Sequence, residues 1–287
     1  MSTEPRELPT RERALEYLLS FDFLARPDLA EYVECHVDRF LATLAYLRPV
    51  ARGAQVLELG AAPFAMSLLA MKHLGLALTP ANFFGDYRER TAPSDEVTLR
   101  SARFAEEHVF RYQLFNLELD PFPYPAGSFD VVLCCEILEH LARDPSAMLG
   151  EIHRVLRDGG RLVLTTPNAK RLHNVYLALR GHNFYGPYSA FGVYGRHNRE
   201  YTKWELHEIL QAHNFRAQVD TEHAYRHGAL HRALTAVGFL RRRRDNLFAL
   251  GIKHGATVRS YPPWLYEHLN ERGSGASTAS ATQRATG

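Results

Sequence analysis

The stretch that most constrains the fold is Gln55-Val-Leu-Glu-Leu-Gly-Ala-Ala-Pro-Phe64, followed by Ala65-Met-Ser-Leu-Leu-Ala-Met-Lys-His-Leu74. Val56, Leu57 and Leu59 read as a buried strand, Gly60 as a tight turn, and the remainder as an amphipathic helix. In an open α/β sheet, ligands sit where a strand's carboxyl end meets such a turn. Gly60 lacks a Cβ, so the backbone can bend sharply and a ligand can approach it closely. Ala61 and Ala62 keep that space open, and Pro63 presets φ where a helix can begin. An ordinary strand, turn and helix without a ligand would look much the same, so the segments that follow decide between the two.

Before this unit, residues 11–47 repeat apolar side chains at helical spacing, and Pro27 divides them into two helices. They are expected either as a cap across the sheet's carboxyl edge or as packing on an outer face. A second strand is expected over residues 76–82, ending near Pro80, and the charged residues 88–107 as a loop with one short helix. Residues 108–115 alternate as a third strand ending at Asn116. Pro121, Pro123 and Pro125 then exclude regular structure up to Phe129.

Phe129-Asp-Val-Val-Leu-Cys-Cys135 is a continuous apolar run, the pattern of a central parallel strand covered on both faces. A helix over 145–156 should stop at Asp158-Gly-Gly160, and residues 161–165 form the fifth strand. Residues 169–200 are rich in Tyr, Gly, His and Asn and show no period. Thr202, with Glu205 three residues on, carries a capping-box pattern for a helix to His213. A sixth strand at 215–219, a helix near 229–239 and a strand at 246–253 complete an α/β alternation. From about residue 273, Ser, Ala, Thr and Gly dominate and disorder is expected.

The chain of 287 residues is 46% hydrophobic and 23% charged, as in a soluble globular protein, and is long enough to bury a full core. Its formal net charge of +2 makes neither nucleic acid nor a membrane surface a required partner. Cys35, Cys134 and Cys135 are its cysteines; the adjacent pair points to opposite faces of one strand and makes poor disulfide partners. No zinc spacing, signal core or membrane span is visible, so the expected location is the cytoplasm.

Four segments in order resemble the class I S-adenosylmethionine-dependent methyltransferases. They are Val56-Leu-Glu-Leu-Gly60, the run from Asn116 through Gly127-Ser-Phe-Asp130, Glu136-Ile-Leu-Glu-His140, and Val155-Leu-Arg-Asp-Gly-Gly-Arg-Leu-Val-Leu-Thr-Thr-Pro-Asn168. The resemblance covers roughly residues 52–253. It implies a Rossmann-like seven-strand sheet whose last strand is antiparallel. Three parts follow: an N-terminal helical cap (1–50), a cofactor-binding core (51–254) whose insertion 169–200 shapes the acceptor pocket, and a C-terminal extension (255–287).

The resemblance also implies site roles. Gly60, Ala61, Ala62, Pro63 and Phe64 would pass beneath the amino acid part of S-adenosylmethionine, with Glu58 steadying the loop. Asn82, next to Phe83, stands where an acid usually grips the ribose, and its neutral amide weakens or alters that grip. Asn116 would contact the adenine amino group with Leu117 beside the ring; Cys135 and Glu136 would stand near the transferring methyl. Asn82 and Asn116 are also ordinary residues for strand ends.

Methyl transfer is an in-line displacement, and an oxygen acceptor also has to lose its proton. His140, Glu139 and His197 are the catalytic candidates. The Glu136-x-x-Glu-His140 segment with a later histidine is similar to small-RNA 2′-O-methyltransferases, where it holds a divalent metal, and to quinone O-methyltransferases. The reading nevertheless commits to no metal; Glu136, Glu139, His140 and His197 are the ligands should one bind. Phe184, Tyr185, Tyr188, Phe191 and Tyr194 can stack on a ring or form the insertion's own small core. The expected activity is O-methylation of a small-molecule or sugar-like hydroxyl. A catalytically silent methyltransferase-like binding protein, suggested by the single glycine of the loop, stays open. So does a nicotinamide-dependent oxidoreductase, against which the missing G-x-G-x-x-G counts.

Overall fold

The computed structural model describes residues 6–82, 93–190, 192–258 and 260–266. Phe83, Phe191, the start of the charged stretch and the tail beyond 266 lie outside the described residues. Two helices open the chain, α1 (Arg11–Leu18) and α2 (Pro27–Leu47). Thr10 caps the first through its side chain, and Pro27 sits in the first turn of the second, where its missing N–H costs nothing. Then follow β1 (Gln55–Leu59), α3 (Ala65–Leu69, running on as a wider turn to Leu74), β2 (Ala77–Asn82), β3 (Ser94–Ser101) and β4 (Glu106–Leu114). The second half holds β5 (Phe129–Cys135), α4 (Ser146–Val155), β6 (Leu156–Pro167), α5 (Leu172–Leu179), α6 (Lys203–Ala212), β7 (Phe215–Glu222), α7 (Ala229–Leu234) and β8 (Asn246–Lys253).

The strands form one sheet in the order β3-β4-β2-β1-β5-β6-β8-β7. The centre, from β4 to β6, is parallel, and β8 inserts antiparallel between β6 and β7. Strand order reverses between β1 and β5, so ligands are expected over their carboxyl ends. The period-2 alternation of β5 divides the core. Val131 and Leu133 pack with Val37, Leu44, Leu68 and Leu69 of α2 and α3, whereas Val132 and Cys134 pack with Met148, Ile152, Leu206 and Ile209 of α4 and α6. Cys134 and Cys135 accordingly face opposite layers, and all three cysteines are free. The capping box of α6 is complete: Thr202 accepts from the Glu205 N–H, and Glu205 accepts from the Thr202 N–H.

Three local expectations change. The charged stretch expected as a loop contains β3, an eighth strand that pairs antiparallel with β4. Its register sets Arg100 opposite Glu107 and Glu96 opposite Arg111, and both pairs form salt bridges. Such charges suit an exposed edge and hide the apolar alternation of Val97 and Leu99. Strand β2 runs through Pro80 to Asn82 because β4 pairs with it only at Ala81 and Asn82. The insertion, read as aperiodic, carries the helix α5.

Candidate active site

The turn after β1 is shaped by Gly60, whose φ of +65° lies in the left-handed region. A Cβ there would come within 2.9 Å of Ile137 Cδ1, so conformation and space both require glycine. The loop is tied across to β2: the Ala61 N–H donates to the Ala81 carbonyl, and the Ala62 N–H donates to Asn82 Oδ1 at 2.9 Å. Helix α3 starts at Ala65, after Phe64 has itself turned left-handed at φ 72°. The Phe64 ring is buried and stacks on Phe110, so it supports the loop from the core side. Glu58 lies beneath the loop and accepts from the Ser67 hydroxyl, which ties β1 to α3. Burial pushes the Glu58 carboxyl up to about 7, against the pull of that hydrogen bond.

A cleft of about 170 Å³ opens over these carboxyl ends, lined by Gly60, Asn82, Asn116, Leu117, Glu136 and His140 among others. A smaller pocket of about 30 Å³ lies on the other side of Gly60, against Glu58, Ala61, Ala62, Pro63 and Cys135. Asn82 is 4% exposed, and since its Oδ1 accepts from the loop, the atom left over is Nδ2. Nδ2 has no hydrogen-bond partner among the described residues, an orphaned donor at the wall of a cleft. Asn116 is engaged: its Oδ1 accepts from the Glu118 N–H, and its Nδ2 donates to the Tyr194 hydroxyl at 3.2 Å. Tyr194, from the insertion, therefore closes this side of the cleft.

Glu136 lies at the end of β5 with φ 55°. Its carboxylate is held by three donors: Arg39 of α2 at 3.0 Å, and Thr165 Oγ1 and Asn246 Nδ2 at 2.7 Å each. Burial is the largest influence on Arg39 and opposes its charge, but Glu136, with Tyr32, Tyr225 and Cys135, together hold the guanidinium more firmly protonated. Glu136 thus lines the cleft while its charge is committed to clamping α2 against the sheet.

Glu139, His140 and His197 do meet. Their ligating atoms lie within 4.8 Å of one another, and the two imidazoles pack edge to face at 5.0 Å. Glu136, turned to Arg39, is not in this group. The short 3₁₀ turn Leu138–His140 presents the two residues, and the insertion fixes it, since the Asn198 N–H donates to the Glu139 carbonyl and Asn198 Nδ2 to that of His140. Glu139 is fully buried; Thr166 donates to its Oε2, and Oε1 has no partner among the described residues. Burial, then the nearby Glu136 charge, raise its carboxyl well above the usual range. His140 Nδ1 donates to the Arg196 carbonyl at 3.0 Å, which leaves the Nε2 lone pair free in the neutral ring. Burial, then the His197 ring, lower its pKa.

His197 also lines a second, open cavity of about 440 Å³ formed by the insertion, with Phe184, Tyr185, Tyr188, Arg171 and Arg196. Phe184 and Tyr185 stack at 4.8 Å, and the Arg196 guanidinium covers the Tyr188 ring at 4.4 Å. Tyr185 and Tyr188 are 61% and 88% exposed, so these aromatics line a surface cavity and do not form a small core. The His140–His197 pair is the shared wall between the two cavities.

The parallel sheet with its antiparallel insertion, and the cleft at the point where strand order reverses, are the Rossmann-like architecture of class I S-adenosylmethionine-dependent methyltransferases. The family description "Methyltransferase domain" matches residues 29–218, and the chain belongs to that family. Over 119 residues it is 32% identical to the ubiquinone biosynthesis O-methyltransferase of Pseudomonas aeruginosa, covering 41% of this chain and 37% of that protein. Over 129 residues it is 28% identical to the non-reducing polyketide synthase trt4 of Aspergillus terreus, covering 45% of this chain and 5% of that one. The matches therefore span well under two thirds of either relative. In three dimensions it is similar to a chain of the complex containing the Haloferax volcanii Trm112 methyltransferase activator. The TM-score is 0.51 at 16% identity, covering 82% of this chain and 99% of that one, a likeness of fold. No helix among the described residues is long and apolar enough to cross a membrane.

The residues present fit the family's cofactor. Gly60 leaves room for close approach, and the unpartnered Asn82 Nδ2 offers a donor where a hydroxyl oxygen is to be held. Reading the sequence missed Arg39, Tyr32, whose hydroxyl accepts from Arg39 at 3.1 Å and which lines the smaller pocket, and Asn246. The visible signal was a charge inside the apolar stripe of α2, since Arg39 falls one turn from His36 and Thr43 and two turns from Tyr32.

Proposed function

We propose that the protein transfers a methyl group from S-adenosylmethionine to the hydroxyl of a small, ring-bearing or sugar-like acceptor, with His140 as general base. The observation that carries this reading is the His140–His197 wall between the cleft over Gly60 and the aromatic cavity of the insertion. Resemblance to an enzyme named for O-methylation supports oxygen as the receiving atom. The cofactor, when bound, supplies an activated methyl carbon.

The chain would hold it with the Gly60–Pro63 loop, the Asn82 amide, and Asn116 with Leu117. Tyr194 and Leu141 help keep water from the cleft. The Arg196 carbonyl fixes the His140 tautomer, so Nε2 takes the acceptor's hydroxyl proton. A lowered pKa keeps that ring neutral, and so able to accept a proton, at pH 7. Phe184, Tyr185 and Tyr188 offer π faces for a ring, and the insertion thereby acts as the acceptor domain. Free cysteines accord with a reducing, cytoplasmic setting.

A second reading has its own observation: Glu139, His140 and His197 converge closely enough to share one divalent ion. In that case the three residues would hold the ion, which would lower the pKa of a bound hydroxyl. The nicotinamide reading falls with the family assignment. His140→Gln separates the others. General-base catalysis predicts a fall in kcat of about 10²–10⁴-fold, with S-adenosylhomocysteine affinity within a few-fold of wild type and activity insensitive to EDTA. Loss on EDTA treatment, together with a bound metal equivalent that disappears in His197→Ala, supports the ion. Tight cofactor binding with no turnover across phenols, catechols and sugars supports the silent binding protein.

A further inference from the structure

We propose a second site, independent of the methyl-transfer chemistry: His223, His227, His231 and Asp245 bind one divalent transition-metal ion, zinc foremost. The three histidines recur every fourth residue just after β7, and Asp245 immediately precedes β8. The connection between these strands folds back so that one ligating atom from each lies within 4.8 Å of all the others. The rings of His227 and His231 stack at 3.9 Å, and that of His223 lies 5.1 and 5.7 Å from them. Asp245 is buried and reaches His227 Nε2 at 2.7 Å.

Hydrogen bonding around the cluster prepares it for a cation. The Thr235 hydroxyl donates to the His231 carbonyl at 2.8 Å, so its oxygen accepts from His223 Nε2–H at 3.0 Å. With its proton on Nε2, His223 turns its Nδ1 lone pair to Asp245 Oδ2, 3.4 Å away. Asp245 Oδ2 itself accepts from the Ala224 N–H at 3.1 Å and meets His227 Nε2 at 2.7 Å, a contact that metal binding would replace. His231 Nε2 is buried and without a partner among the described residues. Tetrahedral zinc with bonds of about 2.0–2.1 Å separates its ligand atoms by roughly 3.4 Å, the His223–Asp245 spacing. Second partners that fix the tautomer, as Thr235 does, are a regular feature of histidine ligands.

Three imidazoles and one carboxylate suit zinc, cobalt or nickel over magnesium or calcium. Four protein ligands leave no open coordination position, so the ion is structural. It would pin the β7–β8 connection at the edge of the sheet that carries the cleft. The Asp245 carbonyl accepts from the Asn168 N–H, and the adjacent Asn246 holds Glu136.

The test uses the full chain, stripped of metal with a chelator and titrated with Zn²⁺ against a chromogenic chelator and with Co²⁺ for its visible spectrum. One equivalent bound with the intense absorption of tetrahedral Co²⁺ is expected. Binding should survive His197→Ala, disappear in His227→Ala with circular dichroism preserved, and weaken about 10–100-fold in Thr235→Val. Should His227→Ala fail to fold, long-range ¹H–¹⁵N spectra of the wild type decide, with His223 Nδ1 shifting on Zn²⁺ addition. Absence of binding above background overturns the proposal, as does metal lost with His197→Ala but kept in His227→Ala, or no change at Nδ1.

Discussion

Replacing Arg39 by methionine should destabilise the protein far more than the loss of an ordinary ion pair. The Arg39 side chain is 6% exposed and its guanidinium stands 3.0 Å from the carboxylate of Glu136, whose side chain is 14% exposed. Removing one member of a buried pair costs about 3–5 kcal/mol, because the other charge is left without a counterion. Here Glu136 keeps two neutral donors, Thr165 and Asn246, which puts the cost near the lower bound, about 3 kcal/mol. Glu136→Gln should cost a similar amount by stranding Arg39. The double variant, with neither charge, should be destabilised by only about 1–2 kcal/mol, since an uncharged pair of similar volume is tolerated in such sites. Urea unfolding of all four proteins gives the coupling energy directly. With a denaturant slope of about 3 kcal/mol per molar, each single variant should lose about 1 M in midpoint. Single variants within 1 kcal/mol of wild type, or single effects that simply add, would refute the view that this pair clamps α2 to the cleft.

Other predictions follow from the same geometry. Glu58 is held at about 7 rather than its ordinary 4.5, so the native state binds the extra proton. Stability should fall by about 3 kcal/mol as pH rises through that window and level off above it, and Glu58→Gln should flatten the profile. Gly60→Ala forces a Cβ against Ile137 at positive φ; it should weaken cofactor binding at least tenfold with about 1–2 kcal/mol lost in stability, both measurable by calorimetry. The acid limb of the kcat/KM profile should lie below the ordinary histidine value of 6.5, because burial lowers the His140 pKa; a limb above it would remove His140 as the base.

Much of this arrangement was legible because it rests on local rules. The strand–glycine–helix unit, the apolar run of β5, the capping box at Thr202 and β8 all follow from period and turn chemistry; the family resemblance singled out Asn82 and Asn116, and both line one cleft. What stayed hidden depends on tertiary register. Strand β3 is an edge strand whose charges pair across to β4, so its apolar period is diluted. Glu136 read as a residue near the transferring methyl and a candidate metal ligand, yet its partners Arg39 and Asn246 lie 97 and 110 positions away in the chain. The zinc-like cluster escaped a search for spaced cysteines because its ligands are histidines and an aspartate brought together by the β7–β8 connection.

The measurement that bears most directly on the cofactor cleft is calorimetric titration of S-adenosylhomocysteine into wild type, Asn82→Ala and Asn116→Ala. The account predicts micromolar binding to wild type. Asn82→Ala should weaken it about tenfold, the worth of one hydrogen bond from an otherwise unpartnered donor, and Asn116→Ala should weaken it as well by releasing Tyr194. No binding to wild type, or affinity unchanged in both variants, would contradict a cofactor site built on Gly60, Asn82 and Asn116.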